Sequence, residues 1–271
     1  DLIRSRGLGD VYKRQRGYGP EYVRQYEMVV RFFHIKAPLL VLVCGTACVG
    51  KSVIATQLSE RLNFSHVIQT DILLDLIKDQ GYTASEKPLH PTPLWERDLA
   101  GPQLLAEYGR ECAALRQGLD CIIEKCHTEG KAMVLEGTHL DPAAFLAEDG
   151  LQPLGAPPRD PLPRGRQRPL LVPIVLEMAE VDHREMIRDW SKACTETTDA
   201  VFERLRTMQD YLVQFEAKGC VNVEVRLDSV SDTIDAVHEF LLSCLEKALK
   251  NNGMKRISSA NDLRTERTAD L

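Results

Sequence analysis

Residues 39–52 read LLVLVCGTACVGKS, and the rest of the chain must fit the architecture that this stretch implies. Its first six residues form a continuous apolar run between a proline and a glycine, which is typical of a strand buried on both faces. Residues 45–52 fit the pattern G-x-x-x-x-G-K-[ST] without a mismatch, and a helical pattern continues to residue 62. A buried strand, a glycine loop and a helix in this order predict a phosphate-binding loop.

The residues of this loop suit the binding of ATP and Mg²⁺. Glycines allow the backbone N–H groups to point inward as a nest for anions, and the N-terminus of the following helix adds its positive dipole end. Lys51 would place a cation over the β and γ phosphates, and the Ser52 hydroxyl is a hard oxygen ligand for Mg²⁺. The predicted nucleotide contacts are Gly45, Thr46, Ala47, Cys48, Val49, Gly50, Lys51, Ser52 and Val53.

Further apolar runs alternate with helical patterns along the chain. This alternation predicts an α/β fold, in which helices cover both faces of a parallel sheet. Since Pro173 cannot donate to a strand ladder, the fourth strand is expected to begin after it. The predicted strands are residues 39–44, 66–69, 133–136, 174–178 and 221–225.

The remaining segments set the expected domain boundaries. Residues 1–15 resemble a translated sequencing adapter, and the alternative is a basic N-terminal arm such as a transit peptide. A helix is expected within residues 16–37, ahead of a single phosphate-binding domain at residues 38–248. Residues 147–169 are rich in proline and predict a disordered insertion, while residues 249–271 predict a disordered tail.

Composition argues against several classes of protein. With 34 Lys and Arg against 40 Asp and Glu, the net charge of −6 does not fit a duplex nucleic-acid binder. No apolar run approaches the ~20 residues of a membrane helix, so we expect neither nucleic acid nor a membrane as a partner. The eight cysteines are scattered and show no CxxC spacing, which favours reduced thiols in a cytoplasmic protein.

Polar residues follow the second and third predicted strands, at the edge where open α/β sheets bind ligands. Asp71 could accept the proton of a substrate hydroxyl, or it could cap the helix that follows. Glu136 could hold Mg²⁺ through water, or it could be a buried, ion-paired carboxylate. His139 fits equally a donor that faces phosphate and a simple turn residue.

Arginines after the fourth strand predict a lid over the transferring phosphoryl group. Arg184 and Arg188 are four residues apart and share a helix face, and Arg204 and Arg206 follow on the next helix. A guanidinium can neutralise the charge that develops during phosphoryl transfer. Each arginine taken singly also fits a surface charge, and Arg184 and Arg206 are the catalytic candidates together with Lys51 and Asp71.

The chain resembles the 2-phosphoglycerate kinase-like P-loop family, and in particular the kinase-like domain of plant low-phytic-acid proteins. The resemblance covers roughly residues 22–248, apart from the proline-rich insertion. It is carried by LVCGTACVGKSVIATQLSERL (42–62), VIQTD (67–71), YGRECAALRQGL (108–119), VLEGTHLDP (134–142), VPIVLEMAEVDH (172–183) and RTMQDYL (206–212).

This resemblance implies a P-loop NTPase three-layer sandwich with strand order 2-3-1-4-5 and an ATP- and Mg²⁺-dependent small-molecule kinase. It supports Lys51, Ser52, Asp71, Glu136 and Arg206 as site residues. In one respect the chain departs from the family, whose members place an arginine three residues after the strand-two aspartate. The chain has Leu74 there, with Lys78 one turn later, which places activity on 2-phosphoglycerate itself in question.

Two hypotheses of different class follow. The first is an enzyme that transfers the γ-phosphoryl group of ATP to a hydroxyl of a small anionic acceptor, either a 2-phosphoglycerate-like acid or an inositol phosphate. Asp71, Lys78, Arg110 and His139 are its candidate substrate contacts. The second is a non-catalytic ATP-binding module that regulates or scaffolds phosphate metabolism. An RNA or nucleoside kinase fits less well, because no basic surface interleaved with aromatic residues is visible.

Overall fold

A computed structural model describes residues 19–64, 66–81, 88–147, 151–153, 169–190 and 197–251. The segment resembling an adapter, most of the proline-rich insertion and the tail beyond residue 251 lie outside these described residues. The helices and strands are α1 Pro20–His34, β1 Leu39–Cys44, α2 Lys51–Leu62, β2 Val67–Gln69, α3 Thr70–Gln80, α4 Gly101–Gly118, α5 Asp120–Glu129, β3 Ala132–Gly137, α6 Pro142–Leu146, β4 Gln152–Pro153, β5 Leu170–Met178, α7 Glu180–Trp190, α8 Thr198–Val213, β6 Val221–Val225 and α9 Val230–Asn251, with 3₁₀ turns at Leu94–Glu96 and Gln214–Lys218.

The main sheet is parallel and runs β2-β3-β1-β5-β6, with the two-residue β4 beside the start of β5. This confirms the expected order 2-3-1-4-5, because β5 and β6 are the fourth and fifth predicted strands. Strands β3 and β5 flank β1 along its whole length, from Leu39 to Cys44. The loop after β1 therefore emerges between the carboxyl ends of two neighbouring strands, where parallel sheets bind ligands.

Helices cover both faces of this sheet, as the continuous apolar run of β1 predicts. Leu40 and Leu42 point to one face, into a core shared with α3, α4, α5 and α8. Leu39, Val41 and Val43 point to the opposite face, into a core shared with α1, α2 and α9. All six residues of β1 are fully buried, and the result is the three-layer sandwich. No helix in the described ranges is both long and apolar enough to cross a membrane.

The predicted start of the fourth strand is wrong, because β5 begins at Leu170 and contains Pro173. The Leu170 N–H donates to the Pro38 carbonyl on the β1 side. Since N–H groups of a strand alternate in direction, the nitrogen of Pro173 points to the opposite side. There β4 ends beside Leu171 and β6 begins beside Ile174, so the missing donor falls between two partners. The ladder to β1 is complete without it.

Residues 151–153, which lie within the predicted insertion, contact the core and the sheet. Leu151 is fully buried, and the two residues of β4 pair with β5. A buried leucine and a strand pair thus give these three residues partners in the folded domain. At the other end of the chain, α9 extends to Asn251, slightly beyond the expected boundary at residue 248.

Candidate phosphate-binding and acceptor site

The loop between β1 and α2 has three residues with positive φ, a conformation that glycine adopts more easily than other residues. Gly45 has φ 153°, and a Cβ there would lie 2.9 Å from a methyl group of Val49 and 3.0 Å from the Leu176 carbonyl. Gly50, directly before the helix, has φ 79°, in the left-handed region. Cys48 also has a positive φ of 66°, which is uncommon for a residue with a side chain. The loop thus has the tight curvature that an anion nest requires.

Lys51 connects this loop to the end of the neighbouring strand β3. Its ammonium donates to the Thr46 carbonyl at 2.8 Å and to the Thr138 hydroxyl at 3.2 Å. Burial lowers the pKa of Lys51, while the Asp71 and Glu136 carboxylates oppose that shift. The ammonium consequently lies within the loop and next to the carboxyl end of β3.

Ser52 and Glu136 form the oxygen pair expected for a magnesium site. The Ser52 hydroxyl donates to Glu136 Oε1 at 2.8 Å, and the Glu136 side chain is buried at the end of β3. Burial raises the pKa of Glu136, although the Ser52 hydrogen bond and the Lys51 ammonium act in the opposite direction. A hydroxyl and a carboxylate fit Mg²⁺, which commonly binds one or two protein oxygens together with water and substrate phosphates.

Asp71 lies on the other side of the β3 end and does not cap α3. The helix begins at Thr70, its cap position is Gln69, and no side chain caps it. Instead Asp71 Oδ1 accepts from the Thr138 N–H at 2.8 Å, and Oδ2 accepts from the Thr138 hydroxyl at 3.2 Å. Because the Asp71 side chain is still 46% exposed, it remains accessible to a ligand. The helix-cap alternative is therefore wrong.

His139 is neither a simple turn residue nor a group that faces the loop alone. It is buried between two carboxylates, with Nε2 3.0 Å from Glu111 Oε2 and Nδ1 3.9 Å from Asp71 Oδ1. Glu111 is fully buried on α4 and also pairs with Lys78, at 3.1 Å, and with Arg97. We call Asp71, His139, Glu111, Lys78 and Arg97 the buried charge network.

The network favours the ionised forms of Asp71, Glu111 and His139. Burial alone would raise the pKa of Asp71, but hydrogen bonding and charge from His139, together with Lys51, lower it to about 2. Burial would likewise raise the pKa of Glu111, but His139, Lys78 and Arg97 lower it to about 2. Burial lowers the pKa of His139, but the Asp71 and Glu111 carboxylates outweigh this effect, and the pKa of His139 is raised. An imidazolium between two carboxylates is the consistent charge state at neutral pH.

Sequence reasoning missed Glu111 and Arg97. One signal was present for Glu111: it lies on the helix face of Tyr108, Cys112 and Leu115, whose side chains are all buried. An acidic side chain on an apolar helix face needs a cationic partner, because a buried unpaired charge is costly. No signal of this kind indicates Arg97.

The candidate substrate cations are placed differently from one another. The Lys78 ammonium pairs with Glu111 at 3.1 Å, and its side chain is 5% exposed. His139 lies between Glu111 and Asp71. Arg110 donates to Glu107 at 2.7 Å and to the Pro88 carbonyl. Leu74, the point of departure from the family pattern, is buried in the core that α3 shares with α4.

Of the predicted lid arginines, Arg206 lies at the carboxyl edge of the sheet. Its guanidinium donates to the carbonyl of Met178, the last residue of β5, at 2.9 Å. Arg184 connects α7 to α8 through Asp199 at 2.7 Å. Arg204 is almost buried and donates to two backbone carbonyls before α4, which gives it an anchoring role in this structure.

His183 is a further residue that sequence reasoning did not select. It is fully buried on the first turn of α7, and its Nε2 lies 2.9 Å from the Ala47 carbonyl of the phosphate-binding loop. Since a carbonyl can only accept, the imidazole donates. Burial lowers the pKa of His183, although its hydrogen bond to Ala47 acts upward, and this favours the neutral ring. Its position on the helix directly after β5 was the available signal.

Two relatives illustrate what the chain is similar to in sequence. The 2-phosphoglycerate kinase of Methanothermobacter thermautotrophicus is 30% identical over 162 residues, which are 55% of this chain and 51% of the relative. The 2-phosphoglycerate kinase of Pyrococcus horikoshii is 24% identical over 245 residues, which are 89% of this chain and 76% of the relative. The chain thus spans about half the length of the first relative and three quarters of the second.

Solved structures resemble the chain more distantly. Shikimate kinase from Acinetobacter baumannii, in complex with shikimate, covers 78% of this chain and 97% of its own length, with 14% identity and a TM-score of 0.44. A gluconokinase from Sinorhizobium meliloti covers 81% and 98%, with 14% identity and a TM-score of 0.40. No protein-family model matches the chain.

Proposed function

We propose that this protein is an ATP-dependent phosphotransferase that moves the γ-phosphoryl group to a hydroxyl of a small anionic metabolite. One observation carries the proposal: the Thr138 hydroxyl accepts from Lys51 and lies within hydrogen-bond distance of Asp71. The cation for a donor phosphate and the carboxylate for an acceptor hydroxyl are therefore separated by a single side chain. Such proximity is the main requirement of phosphoryl transfer.

The residues of the site divide the work between charge neutralisation and orientation. Lys51 and the loop N–H groups would bind the phosphates, and Ser52 and Glu136 would hold Mg²⁺, which neutralises charge on the phosphates. Arg206, at the carboxyl edge of the sheet, is the first candidate for stabilising the transferring phosphoryl group. Arg184, which pairs with Asp199, is the second candidate.

Asp71 is better suited to orienting the acceptor than to deprotonating it. A carboxylate with a pKa of about 2 is a weak base at neutral pH. Phosphoryl transfer proceeds through a loose transition state, so the attacking hydroxyl needs correct placement more than early loss of its proton. We infer that Asp71 accepts a hydrogen bond from that hydroxyl.

The relatives' names support a phosphorylated three-carbon acid as the acceptor, and an inositol phosphate is the second option. Either acceptor needs cationic contacts, for which Lys78, Arg110 and His139 are proposed beside Asp71. We further propose that ATP and this metabolite are the partners, that neither nucleic acid nor a membrane is bound, and that the protein is cytoplasmic.

The test is ADP release by the full chain with Mg²⁺, measured across 2-phosphoglycerate, related phospho-acids and inositol phosphates. We expect turnover with one acceptor, and its loss in Lys51→Ala. Asp71→Asn should lower kcat by about 10²-fold, because orientation of the acceptor is lost. Asp75→Asn, an exposed carboxylate one turn later on α3, is the matched control and should behave as wild type.

The alternative function makes an opposite prediction in the same assay. ATP binding that depends on Lys51, with no turnover on any acceptor, would support the non-catalytic regulatory module. Turnover that survives in both variants would contradict the assignment of this site.

A further inference from the structure

Glu111 contacts three cations, but it does not contact Asp71 directly, because His139 lies between the two carboxylates. Its carboxylate is fully buried, and Arg97, Lys78 and His139 surround its two oxygens. We propose that Glu111 is a positioning residue: through His139 it holds the Asp71 carboxylate in the orientation that receives the acceptor hydroxyl. The catalytic part of this inference rests on the proposed function, whereas the electrostatic part does not.

The His139 ring is fixed from every side. Glu111 and Tyr108 face it from α4, Asp71 and the Glu111-bound Lys78 from α3, and Trp95 from the 3₁₀ turn. The ring centroids of Tyr108 and Trp95 lie 5.6 and 6.4 Å from that of His139. The hydroxyl of Tyr108 also donates to the carbonyl of Thr138 at 3.0 Å, which fixes the residue that holds Asp71.

Removing the Glu111 charge would act selectively on His139. The three cations around Glu111 would then face one another in a buried space, which is strongly unfavourable. Arginine does not deprotonate in proteins, and lysine normally titrates far above neutral pH, so the imidazolium is the member that can lose its proton. Asp71 would thereby lose the cationic neighbour that lies 3.9 Å from its Oδ1. The effect of Glu111 reaches Asp71 through one identifiable group.

The first experiment follows the titration of His139 by NMR in the full chain, with the resonance assigned by its absence in His139→Asn. The wild-type midpoint should lie above the ordinary histidine value of about 6.5. Glu111→Gln should lower it, because the carboxylate that stabilises the imidazolium is gone. Lys78→Gln should raise it, because a competing cation is gone and Glu111 remains.

Glu107→Gln is the matched control for this titration. Glu107 lies one turn before Glu111 on the same helix and pairs with Arg97 and Arg110. We expect its variant to leave the His139 midpoint almost unchanged. Shifts of opposite sign in Glu111→Gln and Lys78→Gln are not produced by general loosening of the structure. Shifts of the same sign, or none, would overturn the inference.

The second experiment measures kcat and KM against pH with the acceptor identified above. Glu111→Gln should lower kcat by about 10²-fold at neutral pH with little change in KM for ATP. The alkaline limb of its profile should move to lower pH, because His139 deprotonates earlier. Glu111→Asp, which keeps the charge, should recover part of kcat.

The outcomes of the two experiments separate the two proposals. Absence of turnover in the wild type would contradict the proposed function, while the NMR titration would still decide the electrostatic role. If Glu111→Gln fails to fold, the Lys78→Gln arm decides, and a midpoint that stays or falls would overturn the inference. Wild-type kcat in a folded Glu111→Gln variant would contradict the positioning role directly.

Discussion

Gly137 sets how closely α3 approaches the end of β3. A Cβ at this position would lie 2.0 Å from the Thr70 hydroxyl oxygen and 3.0 Å from Asp71 Oδ1. The Thr70 hydroxyl donates to the Glu136 carbonyl at 3.0 Å, so it cannot move aside without losing a buried hydrogen bond. The placement of Asp71 therefore depends on the absence of a side chain at residue 137.

Gly137→Ala should destabilise the protein by about 1–3 kcal/mol, because the added methyl group overpacks this contact. It should also lower kcat, since Asp71 would be displaced. Gly109→Ala is the matched control: nothing lies within 4 Å of its added Cβ, and the residue is inside α4. That change should be neutral or stabilise by roughly 0.5–1 kcal/mol. Urea denaturation and steady-state kinetics measure both effects, and equal behaviour of the two variants would contradict the argument.

Helix α7 supports the loop between β1 and α2 from the side of β5. The His183 imidazole, on its first turn, bonds the Ala47 carbonyl of the loop. Ile187, one turn later, is buried in the core that also contains Phe202 and other apolar residues of α8. Helix α7 is thus anchored to the core through Ile187, and it contacts the loop through His183.

His183→Leu should weaken ATP binding about 3- to 10-fold, because a buried carbonyl of the loop loses its donor, at a cost of roughly 1 kcal/mol. His183→Gln retains an N–H donor and should recover part of the affinity. Glu185→Gln, an exposed change two residues later, should leave binding unaltered. Calorimetric titration with ATP distinguishes these variants. Unchanged affinity in His183→Leu would show that the loop keeps its shape without the His183 hydrogen bond.

The parts of the fold that could be predicted are those with local signals. Strand β1, its loop and α2 follow from an apolar run, two glycines and a helical pattern within 24 residues of one another. The position of Pro173 inside β5 could not be predicted from local sequence. Whether a missing N–H matters depends on which strands lie on that side, and β4 and β6 leave a gap there.

The sequence indicates candidate site residues in two ways, through the loop motif and through the ends of the predicted strands. Lys51 follows from the motif, and Asp71 and Glu136 follow from the topology of a parallel sheet. The pairing of His139 with Glu111 could not be predicted, because it joins a loop and a helix that are 28 residues apart, through tertiary packing. A sequence motif indicates the residues that contact a ligand, but it does not indicate the residues that position those side chains through tertiary contacts.

Within the described residues two cores can be distinguished, and one of them adjoins the buried charge network. Leu74, Tyr108 and Cys112 belong to the core beneath the buried charge network. The core on the other face contains Phe32 of α1, together with apolar residues of α2 and α9. We expect substitutions in this second core to reduce the stability of the protein with little effect on KM for the acceptor.

Phe32→Ala should destabilise the protein by about 3–5 kcal/mol, because the ring is almost fully buried. Phe33→Ala should cost about 1 kcal/mol, since its ring is 36% exposed and makes an edge contact with Phe64. KM for the acceptor should stay unchanged in both folded variants. Thermal unfolding followed by circular dichroism tests the stabilities. A larger loss in Phe33→Ala would contradict the assignment of α1 to this core.

The hydrogen bonds of the Lys51 ammonium to Thr46 and Thr138 have a thermodynamic consequence. A bound phosphate would compete with Thr138 for the Lys51 ammonium, and Thr138 also donates to Asp71. Occupancy by one substrate should then alter the affinity for the other. Linkage requires this coupling to be reciprocal: the factor by which ATP changes the acceptor Kd equals the factor by which the acceptor changes that of ATP.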